Sequence, residues 1–293
     1  MLFFSQLING LQLGSIYALV ALGYSMVYGI ITLLNFAHGD VIMVGGYIAL
    51  LVITSGVNPA LAVLFSIVGC VILAVVIEKM AYKPLRSAPR ISLLITAIGV
   101  SMLLQNLAQF FFTANARPFP TGAILPTSNI SLFGGLQISV IALVTILVSV
   151  ISMLILTFLV HKTKVGKAMR AVSEDGGAAQ LMGINVNNTI SFTFAVGAAL
   201  AGIGAILYCC RYPLVSPTMG SLLGLKAFVA AVLGGIGSIP GAMAGGFAIG
   251  LAEVLVTALG LSTWADGVVF AVLIIVLLLK PTGFMGRSIM EKV

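Results

Sequence analysis

Residues 137–160 read QISVIALVTILVSVISMLILTFLV, and residues 161–185 continue as HKTKVGKAMRAVSEDGGAAQLMGIN. The first stretch is an almost unbroken apolar run, and an α-helix needs roughly 20 such residues to cross the hydrocarbon core of a bilayer. The second stretch is the one sustained polar segment of the chain. The apolar run therefore predicts a membrane-spanning helix, and the charged, Ala- and Gly-rich segment behind it predicts a helical loop where another protein docks.

The composition of the whole chain agrees with a membrane protein. Of its residues, 60% are hydrophobic and 7% are charged, and the mean hydropathy is +1.22, whereas soluble domains carry roughly 25% charged residues. The apolar runs are long and continuous, which favours helices over the alternating pattern of a membrane β-barrel. We therefore expect an all-α, polytopic integral membrane bundle of about 8–9 spans, built as a single domain over residues 1–293.

The apolar runs and the basic residues between them predict how the chain crosses the membrane. The runs lie near 7–30, 39–56, 59–80, 91–112, 137–160, 189–210, 225–237, 241–260 and 265–280. Lys and Arg concentrate at 79–90, in the polar segment and at 280–292, all of which the positive-inside rule places in the cytoplasm. The short run 225–237 is either a crossing or a re-entrant segment, and the charges favour nine segments with the N-terminus outside and the C-terminus in the cytoplasm. The formal charge of +7 thus reflects orientation and predicts no nucleic-acid partner.

Two places interrupt the apolar runs with polar or helix-breaking residues. The first break is 35–40 (NFAHGD), and the second break is 234–241 (GGIGSIPG). Backbone that leaves the helix at membrane depth is tolerated where protein or water satisfies its amides and carbonyls, and such breaks often mark transport sites. We therefore expect broken or re-entrant segments at both places.

Polar and helix-breaking residues in these runs supply candidates for a translocation path, because charges within a bilayer are costly and often functional. The candidates are Asn9, Gln12, Asn35, His38, Asp40, Gly237, Pro240 and Glu253. The alternatives are structural. His38 and Asp40 can form an interfacial turn in which Asp40 caps the second span. Glu253 can pair with Lys226 inside the bundle, and we interpret Glu253 as structural.

The polar segment carries the signals of two short helices. Its alanines favour helix, the glycines at 176–177 permit a sharp turn, and Gly183 fits a C-terminal helix stop. Arg170, Glu174 and Asp175 can fix the register of a docking partner by charge-assisted bonds. The other interpretation of this segment is a plain solvated loop.

Several motifs of the chain match one family. They are Gly166-x-Ala168-x-Arg170-Ala171, then Asp175, Ala178 and Leu181-x-Gly183-Ile184-Asn185, together with NGLQLGSIYAL at 9–19, LNFAHG at 34–39 and GGIGSIPG at 234–241. With these motifs the chain resembles the permeases of ABC importers, in the branch for branched-chain amino acids, and is similar to the LivH-type subunit. The Glu-Ala-Ala of the general coupling motif has no clear counterpart, because Ala178-Ala179 follows Gly177.

The resemblance implies a heteromeric, ATP-driven importer of hydrophobic amino acids in the bacterial inner membrane. Its parts would be this permease, a second LivM-type permease, two cytoplasmic ATPase subunits and a periplasmic substrate-binding protein. ATP and Mg would bind to the ATPases, so this chain would hold no cofactor or metal and would not be an enzyme. The ATPases would dock on a coupling loop at about 162–188, with Gly166, Ala168, Arg170, Ala171, Glu174, Asp175, Ala178, Leu181 and Gly183 as the coupling residues.

An ion-coupled secondary transporter or channel is the alternative class. His38, Asp40 and Glu253 would then form a proton or ion pathway, with 225–241 as a re-entrant filter. The charged loop argues against this class, because a gradient-driven carrier needs no docking helix.

Overall fold

The computed structural model describes residues 2–31, 34–86, 88–131 and 137–286, and helices dominate this part of the chain. The α-helices are α1 (Leu2–Ile31), α2 (His38–Thr54), α3 (Pro59–Ile77), α4 (Arg90–Phe112), α5 (Thr121–Ile124), α6 (Val140–Lys162), α7 (Lys164–Glu174), α8 (Gly176–Leu181), α9 (Val186–Arg211), α10 (Met219–Gly234), α11 (Ile239–Ala258) and α12 (Ala265–Leu279). Seven helices among the described residues are long and apolar enough to cross a membrane, and α2 and α10 are shorter apolar helices. The predicted polytopic helical bundle is confirmed.

Short non-α elements complete the architecture. The chain continues from α3 into a π-helix (Glu78–Tyr82) and a 3-10 turn (Lys83–Leu85), and a second 3-10 turn (Ser262–Trp264) precedes α12. Four short strands that are not expected from the sequence form two antiparallel pairs: β1 (Arg117–Pro118) with β4 (Leu214–Val215), and β2 (Asn129–Ser131) with β3 (Gln137–Ser139). The first pair ties the segment after α4 to the segment after α9, so these two segments lie at the same end of the bundle.

Each predicted apolar run is a helix, and the largest shifts are at the starts of α1 and α10, which begin before the predicted boundaries. The run predicted at 225–237 is α10, which begins at Met219 and ends at Gly234. Its first turn contains Gly220, which reads as a loop residue in the sequence. In the structure this glycine allows α10 to touch the start of α2, since a Cβ on Gly220 would lie 2.2 Å from the carbonyl oxygen of Gly39. Helix packing therefore explains why this glycine lies inside a helix.

The basic segments that the structure describes meet at one end of the bundle. Nη1 of Arg86 donates to Oδ1 of Asn187 at 2.6 Å, which joins the turn after α3 to the segment after α8. The amide of Met285, after α12, donates to the carbonyl of Gly234 at 2.9 Å, and the second break shares a cleft with α7. The segments joined by β1 and β4 lie at the opposite end. This arrangement fits nine crossings, and the basic residues predicted at 287–292 lie outside the described residues.

The centre of the bundle is α1, which packs along α11 with close backbone contact. A Cβ on Gly246 would lie 2.4 Å from Cα of Ala18, and a Cβ on Gly14 would lie 2.7 Å from Cα of Phe247. Small residues permit such an approach in membranes, where packing and not water exclusion drives helix association. The outer helices α3, α4, α6 and α12 surround this centre and leave much of their apolar surface exposed.

We expect Gly246→Ala to lower the melting temperature of the purified protein, because the added methyl group must push α1 and α11 apart at a cost of about 1–3 kcal/mol. Gly99→Ala on α4 is the matched control, since a Cβ at Gly99 meets nothing within 4 Å. Thermal unfolding in one detergent can be followed by a thiol-reactive dye, because Cys70, Cys209 and Cys210 are buried and free. Equal melting temperatures for the two variants would contradict the close contact.

Candidate coupling loop and translocation path

The polar segment forms two short helices, α7 and α8, which Asp175 separates. The hydroxyl of Thr163 starts α7 by accepting a hydrogen bond from the amide of Gly166 at 3.0 Å. Asp175 has an extended backbone, and its carboxylate accepts from the amides of Gly177 (2.8 Å) and Ala178 (3.0 Å), so it is the N-cap of α8. The predicted glycine turn is wrong, because both glycines lie in the first turn of α8 and neither has a positive φ.

The predicted helix stop at Gly183 is confirmed. Gly183 has a φ of 83°. Its amide donates to the carbonyl of Gln180, and the amide of Ile184 donates to the carbonyl of Ala179, both at 3.0 Å. Such backbone bonds are usual where a helix ends at a left-handed glycine. The side chain of Asn185 then accepts from the amide of Asn188 at 3.1 Å and starts α9. The candidate coupling loop (162–188) therefore runs directly into the long core helix α9 through hydrogen-bonded turns at Gly183 and Asn185.

The structure separates the predicted coupling residues into packed and exposed ones. Gly166 is buried against the end of α6, where a Cβ would lie 2.2 Å from the carbonyl oxygen of Leu159. Ala168 and Ala171 are half-buried. The exposed ones are Arg170, Glu174, Asp175, Ala178, Leu181 and Gly183.

An exposed apolar tip lies at the end of α8. It consists of Leu181 and of Met182, which is not among the predicted coupling residues. The two residues are 91% and 83% exposed. The loop itself is held from inside, because Met169 and Val172 of α7 are buried. Contiguous exposed apolar patches mark interaction sites, so these two adjacent side chains on a polar loop are candidates for a protein-binding surface.

A cleft of about 90 Å³ lies between α7 and the second break. This cleft is lined by the last turns of α1, by Arg170 and Ser173 of α7, and by Gly237. The amide of Gly237 donates to the hydroxyl of Ser25 on α1 at 2.9 Å. The coupling loop and the second break therefore share one opening at the same end of the bundle.

The second break is a true interruption between α10 and α11. Gly235 and Gly237 have φ values of 100° and 90°, which favour glycine. The hydroxyl of Ser238 caps α11 by accepting from the amide of Gly241 at 3.2 Å. Pro240 lies in the first turn of α11, where its missing amide costs no hydrogen bond. The path candidates Gly237 and Pro240 are both exposed at this end.

The first break lies within the bundle and not at its edge. His38 and Asp40 are 3% and 1% exposed. The start of α2 lies beside the middle of α3, where Sγ of Cys70 donates to the carbonyl of Val41 at 3.3 Å. The interfacial-turn interpretation is therefore wrong. Asp40 also does not cap α2, because its Oδ1 accepts from Nε2 of Gln105 at 3.1 Å. Its Oδ2 and Nε2 of His38 have no hydrogen-bond partner among the described residues.

A charged cluster joins four helices: Lys226 of α10, Glu253 of α11 and Asp266 of α12, with the hydroxyl of Tyr17 on α1. Nζ of Lys226 lies 2.8 Å from Oε1 of Glu253 and 2.6 Å from Oδ1 of Asp266. The hydroxyl of Tyr17 donates to Oε2 of Glu253 at 2.8 Å. The expected contact between Glu253 and Lys226 is present, and both carboxylate oxygens of Glu253 have a partner.

The remaining path candidates, Asn9 and Gln12, lie on α1 where it packs along α11; Asn9 is half-buried and Gln12 is buried. The candidates therefore occupy separate places: the mouth beside the coupling loop, the buried first break, and the α1–α11 interface with the charged cluster. The structure does not gather them into one site.

Glu78, which is not among the residues predicted from the sequence, is fully buried at the start of the π-helix. Its carboxylate accepts from the guanidinium of Arg86 and from the hydroxyl of Ser191 at 2.6 Å. The available signal was a lone carboxylate at the end of an apolar run with an arginine eight residues later. At the other end of the π-helix, the hydroxyl of Tyr82 donates to Oδ1 of Asn35 at 2.6 Å, so the path candidate Asn35 is held by a side chain of the π-helix.

Comparison with known proteins shows similarity over nearly the full length of the chain. Residues 6–278 match the family described as branched-chain amino acid transport system, permease component. The high-affinity branched-chain amino acid transport system permease protein BraD of Pseudomonas aeruginosa is 43% identical, over 99% of this chain and 98% of BraD. The corresponding LivH protein of Escherichia coli (strain K12) is 42% identical, over 99% of this chain and 98% of that protein. The probable branched-chain amino acid transport permease protein LivH of Methanocaldococcus jannaschii is 32% identical, over 93% of this chain and 89% of that protein.

Proposed function

The chain belongs to the family of branched-chain amino acid transport system permease components, and from this membership we propose that it is the transmembrane permease subunit of an ATP-driven importer. Its substrates are the branched-chain amino acids leucine, isoleucine and valine, and its location is the bacterial inner membrane. Residues 1–293 form one permease domain.

The observation that carries this proposal is the coupling loop with its apolar tip. Leu181 and Met182 lie outside the bundle and are almost fully exposed, while Gly183 and Asn185 connect them to α9 without a flexible linker. A loop of this kind fits a groove on a partner protein, because apolar side chains gain free energy when the groove removes them from water. We assign that groove to an ATPase, whose movement the loop passes into the bundle.

The partners follow from the same assignment. The importer contains a second permease of the LivM type, two cytoplasmic ATPase subunits that bind ATP and Mg, and a periplasmic binding protein that delivers the amino acid. The coupling loop and the C-terminus then lie in the cytoplasm and the N-terminus lies outside, consistent with the basic segments at one end of the bundle.

The test is reconstitution of the chain with its second permease and its two ATPases in lipid vesicles. ATP hydrolysis and uptake of labelled leucine are measured with and without the binding protein. We expect both rates to rise when leucine-loaded binding protein is added outside vesicles that contain ATP. Leucine uptake that follows an imposed ion gradient and ignores ATP would replace the importer with a secondary transporter, and His38, Asp40 and Glu253 would become its candidate ion pathway.

A further inference from the structure

The start of α9, directly after the coupling loop, is bound to Glu78 and Arg86 by a network whose central carboxylate, Glu78, is buried. Asn187 and Ser191 are four residues apart at the start of α9 and therefore share a face of the helix. Arg86 donates to Oδ1 of Asn187 at 2.6 Å, and Ser191 donates to Oε2 of Glu78 at 2.6 Å. Glu78 is 0% exposed and is paired with Arg86. A buried carboxylate is costly unless it is paired and hydrogen-bonded, so the first turns of α9 cannot easily leave Glu78.

The short segment that begins at Glu78 is bound to the first break at its other end. Tyr82 is 1% exposed, packs against Phe194 of α9 with ring centroids 5.8 Å apart, and donates to Oδ1 of Asn35 at 2.6 Å. The carbonyl of Asn35 accepts from the amide of His38, the first residue of α2, at 3.0 Å. The position of Tyr82 is therefore coupled to the start of α2.

Between these two contacts lies only the π-helix Glu78–Tyr82. π-Helical turns are rare and occur frequently at functional sites. A return to α-helical geometry would turn Tyr82 about the helix axis relative to Glu78, so the two contacts could not both keep their present geometry. The π-helical geometry is therefore what allows Glu78 to contact α9 while Tyr82 contacts Asn35.

We propose that the π-helix Glu78–Tyr82 is the relay between the coupling loop and the first break, with Glu78 and Tyr82 as positioning residues. Glu78 follows the start of α9, which the ATPase moves through the coupling loop. Tyr82 passes this movement to Asn35 and to the start of α2, where His38 and Asp40 lie. The proposal rests on the proposed function, because a relay needs an importer whose coupling loop is moved by an ATPase.

The test measures leucine taken up per ATP hydrolysed in the complete reconstituted importer. Tyr82→Phe removes only the hydroxyl that Asn35 accepts from. We expect uptake per ATP to fall by about fivefold, the population shift that one buried hydrogen bond can produce, while the melting temperature of the complex changes little. Glu78→Gln should also lower uptake per ATP, because it removes the charge that pairs with Arg86 and weakens the contact with Ser191 at the start of α9. Tyr47→Phe is the matched control, since Tyr47 is buried and its hydroxyl has no partner among the described residues.

The outcomes separate the relay from the proposed function. Lack of ATP-dependent uptake by the unaltered importer would overturn the proposed function and the relay with it. Normal uptake by the unaltered importer, with unchanged uptake per ATP in Tyr82→Phe, would overturn the relay alone. Asn35→Ala removes the acceptor of the same hydrogen bond. The double variant Asn35→Ala with Tyr82→Phe should lower uptake per ATP no further than either single variant does. Additive losses in the double variant would also count against the relay.

Discussion

Replacing Lys226 with alanine should lower the stability of the folded chain by about 3–5 kcal/mol. The ammonium lies 2.8 Å from Glu253 and 2.6 Å from Asp266, and Lys226 is 5% exposed, so solvent does not readily take its place. The loss falls mainly on Glu253, whose side chain is 13% exposed, since the side chain of Asp266 is 51% exposed. Thiol-dye unfolding and the yield of purified protein measure this effect.

The matching rescue removes both members of the buried pair. Lys226→Met with Glu253→Gln keeps the volume of both side chains similar, and the glutamine leaves an amide oxygen for the hydroxyl of Tyr17. An uncharged pair of similar volume is often as stable as the buried ion pair that it replaces. We expect the double variant to recover most of the lost stability. An unchanged melting temperature for Lys226→Ala would show that the cluster does not hold the helices together.

Glu253→Gln alone should be mild, because Lys226 keeps its contact with Asp266 and Tyr17 keeps an acceptor. If Glu253 is structural, leucine uptake by the reconstituted importer should remain. Normal expression with abolished uptake would instead place Glu253 in the translocation path.

Leu181→Asp together with Met182→Asp should strongly weaken binding of the ATPases while the permease itself folds normally. Burial of each apolar side chain is worth about 1.5–3 kcal/mol, so loss of both should weaken binding by at least about a hundredfold. The fold should survive, because both residues are almost fully exposed and support nothing within the chain. Recovery of the ATPases with the tagged permease, and leucine-stimulated ATP hydrolysis, are the two measurements.

Gln180→Asp is the control for this experiment. Gln180 is exposed on the same helix, and the substitution adds the same kind of charge without removing an apolar contact. It should leave ATPase recovery close to that of the unaltered chain. Normal recovery with the altered apolar tip, or an equal loss with Gln180→Asp, would move the docking surface away from Leu181 and Met182.

Part of the coupling loop could be predicted from its residues because the relevant forces are local. Gly183 was a predictable helix stop, since few residues other than glycine adopt a φ of 83° without strain. The sequence predicts the bend between α7 and α8 at the glycines, but the bend is at Asp175. The carboxylate of Asp175 accepts from two amides of α8, and such a cap stabilises a helix start more strongly than glycine does. Both signals were present in the sequence, and only the geometry distinguished them.

The sequence by itself determined the class of the protein, the run of membrane helices, the two breaks and the loop that joins α6 to α9, because hydropathy and helix length act along the chain. Only the tertiary structure decided that Gly220 lies inside a helix, that the first break is buried, and that Glu78 and Tyr82 connect α9 to Asn35. These features depend on partners distant in sequence. The free energy of a buried polar group is set by its neighbours in space, which no local pattern specifies.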